Sequence, residues 1–163
     1  MRHLIERVLE LSDEEIVPQH DPQPSGQGTD EELRALLESL QPRIRVYGVG
    51  GAGCNAVGRL DAEGLFENSF VTGYAINTDA QALLMSPLEH KVLIGRTARG
   101  RGAGGDPTKG EAAALESEMA LRTITTDTQL AIIAAGMGGG SGTGAAGHIA
   151  RLAKEQGAMT IAV

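Results

Sequence analysis

Ten consecutive residues, Ala135-Gly-Met-Gly-Gly-Gly-Ser-Gly-Thr-Gly144, restrict what this chain can become more than any other stretch. Six of the ten are glycine. Glycine loses more conformational freedom on folding than any other residue, so such a run persists only where bare backbone must approach something closely. It follows Leu130-Ala-Ile-Ile-Ala-Ala135, a continuously apolar stretch of the kind expected for a strand buried on both faces of a parallel sheet. A helical pattern from Thr143 to Gln156 comes next. Free amides at the start of a helix, joined by the Ser141 and Thr143 hydroxyls, suit an oxyanion.

The rest of the glycine is placed in the same way. Of 23 glycines, four lie in Gly48–Gly53, five in Gly95–Gly105 and six in Gly136–Gly144. They have no three-residue period, and 41% of the chain is apolar, which excludes a collagen-like or low-complexity polypeptide. Four aromatic residues in 163 argue against single-stranded nucleic-acid binding by base stacking. A single cysteine, Cys54, excludes a disulfide framework and fits a reducing compartment.

Strand and helix patterns alternate from Arg43 onward. Ile44–Val49 reads as a first strand, Gly50–Asn55 as a turn, and Ala56, Val57 and Leu60 as one helix face. Phe70–Ile76 and Lys91–Ile94 read as second and third strands. Pro107 suits the first turn of a helix that carries Ala112–Ala114, Leu115, Met119 and Leu121. Leu130–Ala135 is the fourth strand and Met159–Val163 the fifth. This alternation predicts an α/β fold, a three-layer Rossmann-like parallel sheet with right-handed crossovers. All three glycine loops then open on the carboxyl edge of the sheet, where ligands bind. A phosphate-bearing ligand is the leading expectation.

Residues 1–42 differ in kind. They hold ten acids and three bases, a net −7, whereas residues 43–163 hold eleven of each. Leu4, Ile5, Val8, Leu9 and Leu11 recur at helical spacing, as do Leu33, Leu36, Leu37 and Leu40. Thr29 and Glu32 match a capping box, and Pro42 stops that second helix. The proline- and glycine-bearing stretch 18–28 reads as a linker. The segment is therefore an acidic helical arm, its helices expected to pack on the main domain or on each other, or else to dock a partner. No basic stripe suits nucleic acid, Glu6 and Glu10 interrupt the only early apolar stretch, so no signal peptide is read, and no apolar run is long enough to span a bilayer. A cytoplasmic protein is expected.

Gly48-Val-Gly-Gly-Ala-Gly53 fits G-x-G-x-x-G between a strand and a helix, a weak signal for an NAD(P)-binding Rossmann domain. That reading needs an acidic end to the second strand, and Ile76-Asn-Thr-Asp79 comes late for it. A Walker A loop needs Gly-Lys followed by a hydroxyl, and no such sequence occurs. A second glycine loop at the fourth strand disfavours the dinucleotide reading. A non-enzymatic interaction fragment is the other alternative.

Four motifs in this order resemble the tubulin-like cell-division GTPase family of bacteria and archaea, FtsZ. They are Gly48-Val-Gly-Gly-Ala-Gly-Cys-Asn-Ala-Val57, Ala75-Ile-Asn-Thr-Asp-Ala-Gln-Ala-Leu83, Gly100-Arg-Gly-Ala-Gly-Gly-Asp-Pro107 and the six-glycine run. The resemblance covers Ile44 to Val163, and the six-glycine run is the superfamily's signature loop. It implies that Gly51, Ala52, Gly53, Cys54 and Asn55 surround the inner phosphates and sugar side of GTP or GDP. By the same resemblance Gly140, Ser141, Gly142, Thr143 and Gly144 wrap the phosphates from the other side. Asn77, Thr78 and Asp79 would lie near the phosphates and a bound Mg²⁺, with Asp79 near the metal but no direct ligand in this chain. Ala103, Gly104 and Gly105 would form the loop that senses the γ-phosphate.

The chain departs from the family pattern at three places. Ser141 stands where Thr is usual and keeps the hydroxyl, Gly147 stands where Pro is usual, and Cys54 replaces a commoner Gly or Asn. Cys54 is expected to fill space and meet the ligand by backbone alone, His148 to lie on a helix surface, and Met137 to pack. Arg96, Arg99 and Arg101 are expected either to screen the γ-phosphate or to face water. The resemblance further implies head-to-tail self-assembly into division-site filaments, with GTP hydrolysed at subunit interfaces by an acidic loop these residues do not contain. The expectation is a partial GTPase domain at 43–163, holding nucleotide without turning it over, preceded by an arm at 1–42 for which a division-protein partner is one of the two readings.

Overall fold

The computed structural model describes residues 29–163, which fall into two units, one ending at Leu40 and the other running from Gln41 to Val163. In the first unit, helix α1 spans Asp30–Leu40. Its start is the expected capping box: the Glu32 amide donates to the Thr29 hydroxyl at 3.3 Å, and the Thr29 amide donates to Glu32 Oε2 at 3.0 Å. Leu33, Leu36, Leu37 and Leu40 are all exposed. The expected helix around Leu4–Leu11 and the linker at 18–28 lie outside the described residues.

The second unit is the expected α/β sandwich. Its elements are β1 (Ile44–Val49), α2 (Gly50–Ala62), β2 (Val71–Asn77), α3 (Ala80–Met85), β3 (His90–Leu93), α4 (Pro107–Glu116), α5 (Glu118–Thr125), β4 (Leu130–Ala135), α6 (Gly140–Glu155) and β5 (Met159–Ala162). Short 3₁₀ turns occupy Leu65–Glu67 and Arg96–Ala98. The five strands are parallel in the order β3-β2-β1-β4-β5. From β1 the chain builds outward through β2 and β3, then returns to the other side of β1 for β4 and β5. The reversal falls between β1 and β4, where Val49 is in register with Ala135. In an open parallel sheet that is where a crevice forms beyond the strand ends.

Side-chain alternation along the strands divides the core into two layers. Tyr47, Val49, Ile76, Ala131 and Ile133 face a cluster completed by Ala113, Ala114, Leu121, Ala145, Ile149 and Leu152 of α4, α5 and α6. Val46, Val71 and Ala75 face Cys54 and Val57 of α2, Leu83 of α3, and Leu88. The Tyr47 hydroxyl reaches the end of its layer, donating to the Ile124 carbonyl at 2.9 Å.

Three element boundaries differ from expectation for physical reasons. The Gly50–Asn55 segment is not a turn: α2 begins at Gly50 itself, and α6 begins at Gly140 rather than Thr143. Low helix propensity hides these starts, while tertiary contacts between bare backbones favour them. The helix expected to run from Pro107 past Leu121 breaks at Ser117. There the Ser117 hydroxyl accepts a hydrogen bond from the Gly95 amide at 2.9 Å, and Glu116 Oε1 accepts from the Thr97 amide at 3.0 Å. The break thus anchors the segment that follows β3.

Candidate phosphate cradle

Four helices start at the carboxyl edge of the sheet, and their first turns differ in one respect. Helix α3 is capped by Asp79, whose Oδ1 accepts from the amides of Gln81 at 2.9 Å and Ala82 at 3.1 Å. Helix α4 is capped by Asp106, which accepts from the Thr108 amide at 3.0 Å. Helices α2 and α6 have no side-chain cap, and Val49 and Gly139 occupy their cap positions. Their first amides are therefore left for another acceptor, and the dipoles of both helices place positive potential at the same spot.

That spot is a pocket of about 250 Å³ between the two helix starts. Ten residues line it: seven glycines (Gly50, Gly51, Gly136, Gly138, Gly139, Gly140 and Gly142) with Val49, Ala52 and Ser141. None is ionisable, so an anion held here is met by amides, helix dipoles and the Ser141 hydroxyl rather than by charged side chains. Lack of side chains is a steric requirement as well. A Cβ on Gly136 would stand 2.6 Å from that of Ala52, and one on Gly142 would stand 2.8 Å from the Gly136 carbonyl oxygen. Gly51, Gly138 and Gly139 have nothing within 4 Å of an added Cβ, so they border the open volume.

Of the residues implicated by sequence, Gly51, Ala52, Gly140, Ser141 and Gly142 line this pocket. Gly53 and Cys54 are buried beneath it on α2, and Asn55 is exposed outside it. The Cys54 thiol points away, donating to the Gly48 carbonyl at 3.2 Å, and burial pushes its pKa up to about 11. Asn77 and Thr78 are both buried. Asn77 Oδ1 accepts from the Thr78 amide at 2.8 Å, and the Thr78 hydroxyl stands 2.6 Å from the Ser141 hydroxyl. Ala103 is buried, and a Cβ on Gly140 would stand 2.8 Å from the Ala103 methyl. Gly104 and Gly105 are exposed with φ of +60° and +80°.

Thr143 and Gly144 sit one turn further along α6. They line a different groove of about 420 Å³ between α4 and α6. Gly144 is the point of closest approach of those helices: a Cβ there would stand 2.5 Å from the Glu111 amide nitrogen. Gly110 of α4 answers it, with Cβ space blocked by the Gly140 carbonyl. Val49, Gly50, Gly136, Gly138 and Gly139 line the cradle without having been assigned to it by sequence. All five belong to the two glycine motifs, so the signal was present and only the register within the motifs was hidden.

Two side chains fall elsewhere than expected, and three arginines take the second of the two places expected for them. His148 is buried, not on the surface, at 7% exposure. Arg151 donates to its Nδ1 at 2.8 Å, which leaves the proton on Nε2, 3.7 Å from Glu118 Oε2. Burial, then the Arg151 charge, lowers its pKa. Its position on α6 at the junction with α5 could not be read from helical spacing alone. Met137 does not pack but is 64% exposed. Arg96, Arg99 and Arg101 are exposed, and none lines the cradle.

Among the described residues no group of three or more His, Cys, Asp and Glu stands together as metal ligands. Of the neighbouring acids, Asp79 has Oδ1 committed to capping α3 and Asp106 has Oδ1 committed to capping α4. Among the described residues no helix is long and apolar enough to cross a membrane.

Comparison with known proteins agrees with the geometry. The sequence profile of the tubulin/FtsZ family, GTPase domain, matches residues 43–163. Cell division protein FtsZ 1 of Pyrococcus abyssi is 46% identical over an alignment that covers 100% of this chain and 43% of that protein. The FtsZ 1 protein of Halobacterium salinarum is 44% identical over 88% of this chain and 36% of its own length. Among solved structures, an empty FtsZ dimer from M. jannaschii superposes with a TM-score of 0.73 at 42% identity, covering 82% of this chain and 38% of that one. CetZ2 from Haloferax volcanii, solved as a GTPγS-bound protofilament, gives a TM-score of 0.63 at 29% identity over 74% and 38% of the two chains. The chain spans less than half the length of the curated relatives it matches. It belongs to the tubulin/FtsZ family of cell-division GTPases, and residues 43–163 match the GTPase domain.

Proposed function

We propose that this chain carries the phosphate-binding half of a tubulin-like cell-division GTPase and holds GTP or GDP at the junction of α2 and α6. The observation that carries the reading is the pair of uncapped helix starts meeting over a glycine-lined pocket. In this reading the amides of Gly50–Ala52 and Gly139–Gly142 hold the phosphates, and Gly53, Cys54 and Asn55 support that turn of α2. Asn77, Thr78 and Asp79 hold the neighbouring loop, and Ala103–Gly105 approaches the outermost phosphate. Thr143 and Gly144 serve by seating α6 against α4.

Mg²⁺, when bound, neutralises phosphate charge, and with no ligand cluster among the described residues it would be held chiefly by the phosphates themselves. No carboxylate lines the cradle, so the contribution of these residues is binding rather than water activation. Two relatives are described as a dimer and as a protofilament. By extension, the complete protein assembles with copies of itself in the cytoplasm at the division site. A dinucleotide reading is disfavoured because the acid after β2, Asp79, caps α3 instead of standing free for a ribose.

Calorimetric titration of the 163-residue chain with GTP, GDP, ATP and NAD in the presence of Mg²⁺ tests the proposal. Heat of binding for GTP and GDP, lost on replacing Gly142 by Val, is the expected result. Binding of NAD in preference to GTP, or no response to any phosphate ligand, would overturn it.

A further inference from the structure

Thr78 is joined to both loops that border the cradle, and to each by a different atom. Its carbonyl accepts from the Gly102 amide at 3.1 Å. Two residues on, the Ala80 amide donates to the Gly100 carbonyl at 3.1 Å, and Asp79 pairs with Arg101 as an antiparallel bridge. Residues 78–80 and 100–102 are thus zipped together by their backbones. The Thr78 side chain faces the other way and stands, through its hydroxyl, 2.6 Å from the Ser141 hydroxyl at the start of α6. Thr78 is 1% exposed. Its hydroxyl has that partner and no route to solvent.

The segment held by this zipper is anchored at its start by the Gly95–Ser117 and Thr97–Glu116 hydrogen bonds, and the zipper is what ties its later part to β2. Gly95, Arg99, Gly100, Gly102, Gly104 and Gly105 all have positive φ. An open pocket of about 250 Å³ adjoins it, bordered by Thr78, Ala98, Gly102, Ala103, Ala112 and Ala113 among others. Lys109 and Glu116 border the same space, which leaves one side of the segment incompletely packed while Ala103 itself is buried. Ala103 then meets Gly140, so a shift of the segment is felt where α6 begins.

We infer that Thr78 is a positioning residue that couples the 100–105 loop to the cradle through the hydroxyl pair with Ser141. Given that the cradle holds the phosphates, as proposed above, the coupling makes the position of the 100–105 loop depend on which nucleotide is bound. Thr78 touches no phosphate in this arrangement. It acts through Ser141 on one side and Gly102 on the other, and it contributes discrimination between GTP and GDP rather than affinity for either.

Hydrogen exchange on the nucleotide-free chain tests the coupling directly. Thr78→Val removes the hydroxyl while keeping shape, Ser141→Ala removes its partner, and Thr78→Ser keeps the donor. Ser141→Ala should speed exchange at the distant Gly102 and Ala80 amides, as Thr78→Val does, with Thr78→Ser close to the unmodified chain. Exchange that changes only around residue 141 would overturn the inference whatever the nucleotide result.

Titration with GTP and GDP then reads the consequence. Thr78→Val should narrow the affinity ratio between them by about tenfold, the order of one buried hydrogen bond. The double variant should do no more than either single one, because both remove the same contact. Additive losses, or equal losses for both nucleotides that track the melting temperature, would overturn it. Absence of binding by the unmodified chain counts against the phosphate reading instead, and the exchange result still decides the coupling.

Discussion

Gly50 faces Gly142 so closely that a methyl group on it would stand 2.7 Å from the Gly142 amide nitrogen. Gly50 also has a φ of +72°, in the left-handed region. Replacing it by Ala therefore adds backbone strain to an overlap that neither helix can relieve, because both are fixed on adjacent strands. We expect Gly50→Ala to lower stability by about 3 kcal/mol, read as a lower urea midpoint with an unchanged slope.

Gly51, the next residue, should behave oppositely. An added Cβ meets nothing within 4 Å, and Ala is a better helix former by up to about 1 kcal/mol. Gly51→Ala should keep or raise the melting temperature while weakening nucleotide binding, since the methyl stands at the cradle mouth. Loss of both together would show that Gly51 is held by packing.

Gly144 tests whether a residue of the signature loop serves the ligand or the fold. A Cβ there would overlap the Pro107 carbonyl and come within 2.8 Å of the Gly110 carbonyl carbon. Gly144→Ala should cost about 3 kcal/mol by forcing α4 and α6 apart. Any loss of nucleotide affinity should follow the fraction unfolded in a combined thermal and binding measurement.

Cys54 should be inert to thiol reagents in the native chain at neutral pH and reactive in urea, because its thiol is buried and protonated. Its raised pKa carries a definite sign for stability. Between pH 9.0 and about 11 the unfolded chain releases the thiol proton and the folded chain keeps it. Stability should then fall as pH rises, by about 2 kcal/mol across that window. Cys54→Ala should reduce this slope in denaturant titrations run at successive pH values, leaving the part due to Tyr47, whose pKa burial also raises.

His148 gives a slope of the same origin on the acid side. Its folded pKa is lowered below the ordinary 6.5, by burial first and the Arg151 charge second. As pH falls past 6.5 the unfolded chain takes up the proton before the folded one, so stability is lost on acidification. His148→Gln should flatten the profile between neutral pH and the range where carboxylates titrate, and an unchanged profile would place the acid sensitivity elsewhere.

Much of this was legible in residue order. Leu130–Ala135 is a strand with the expected bounds, and the Thr29–Glu32 capping box forms both of its hydrogen bonds. Local patterns suffice in such cases because the determining partners lie within a few residues of each other. Glycine misled only in register. Gly50 and Gly140 start helices despite poor propensity, because each is closely packed by another segment, the Gly142 backbone for the one and the Asp106 backbone with the Ala103 methyl for the other. Ser117 breaks a helix for the sake of Gly95, 22 residues away. No periodicity reports a contact of that kind.

By itself, the order of residues determined the alternation of strands and helices, the apolar faces that close the two core layers, and the concentration of bare backbone at one edge of the sheet. These follow from side-chain period and from glycine's freedom, both local properties. Only the tertiary structure decided which glycines serve the cradle and which serve helix packing, that His148 is buried, and that Thr78 meets Ser141. Each of those outcomes depends on the strand order β3-β2-β1-β4-β5. That order sets the starts of α2 and α6 side by side, so segments nearly a hundred residues apart in the chain share one pocket.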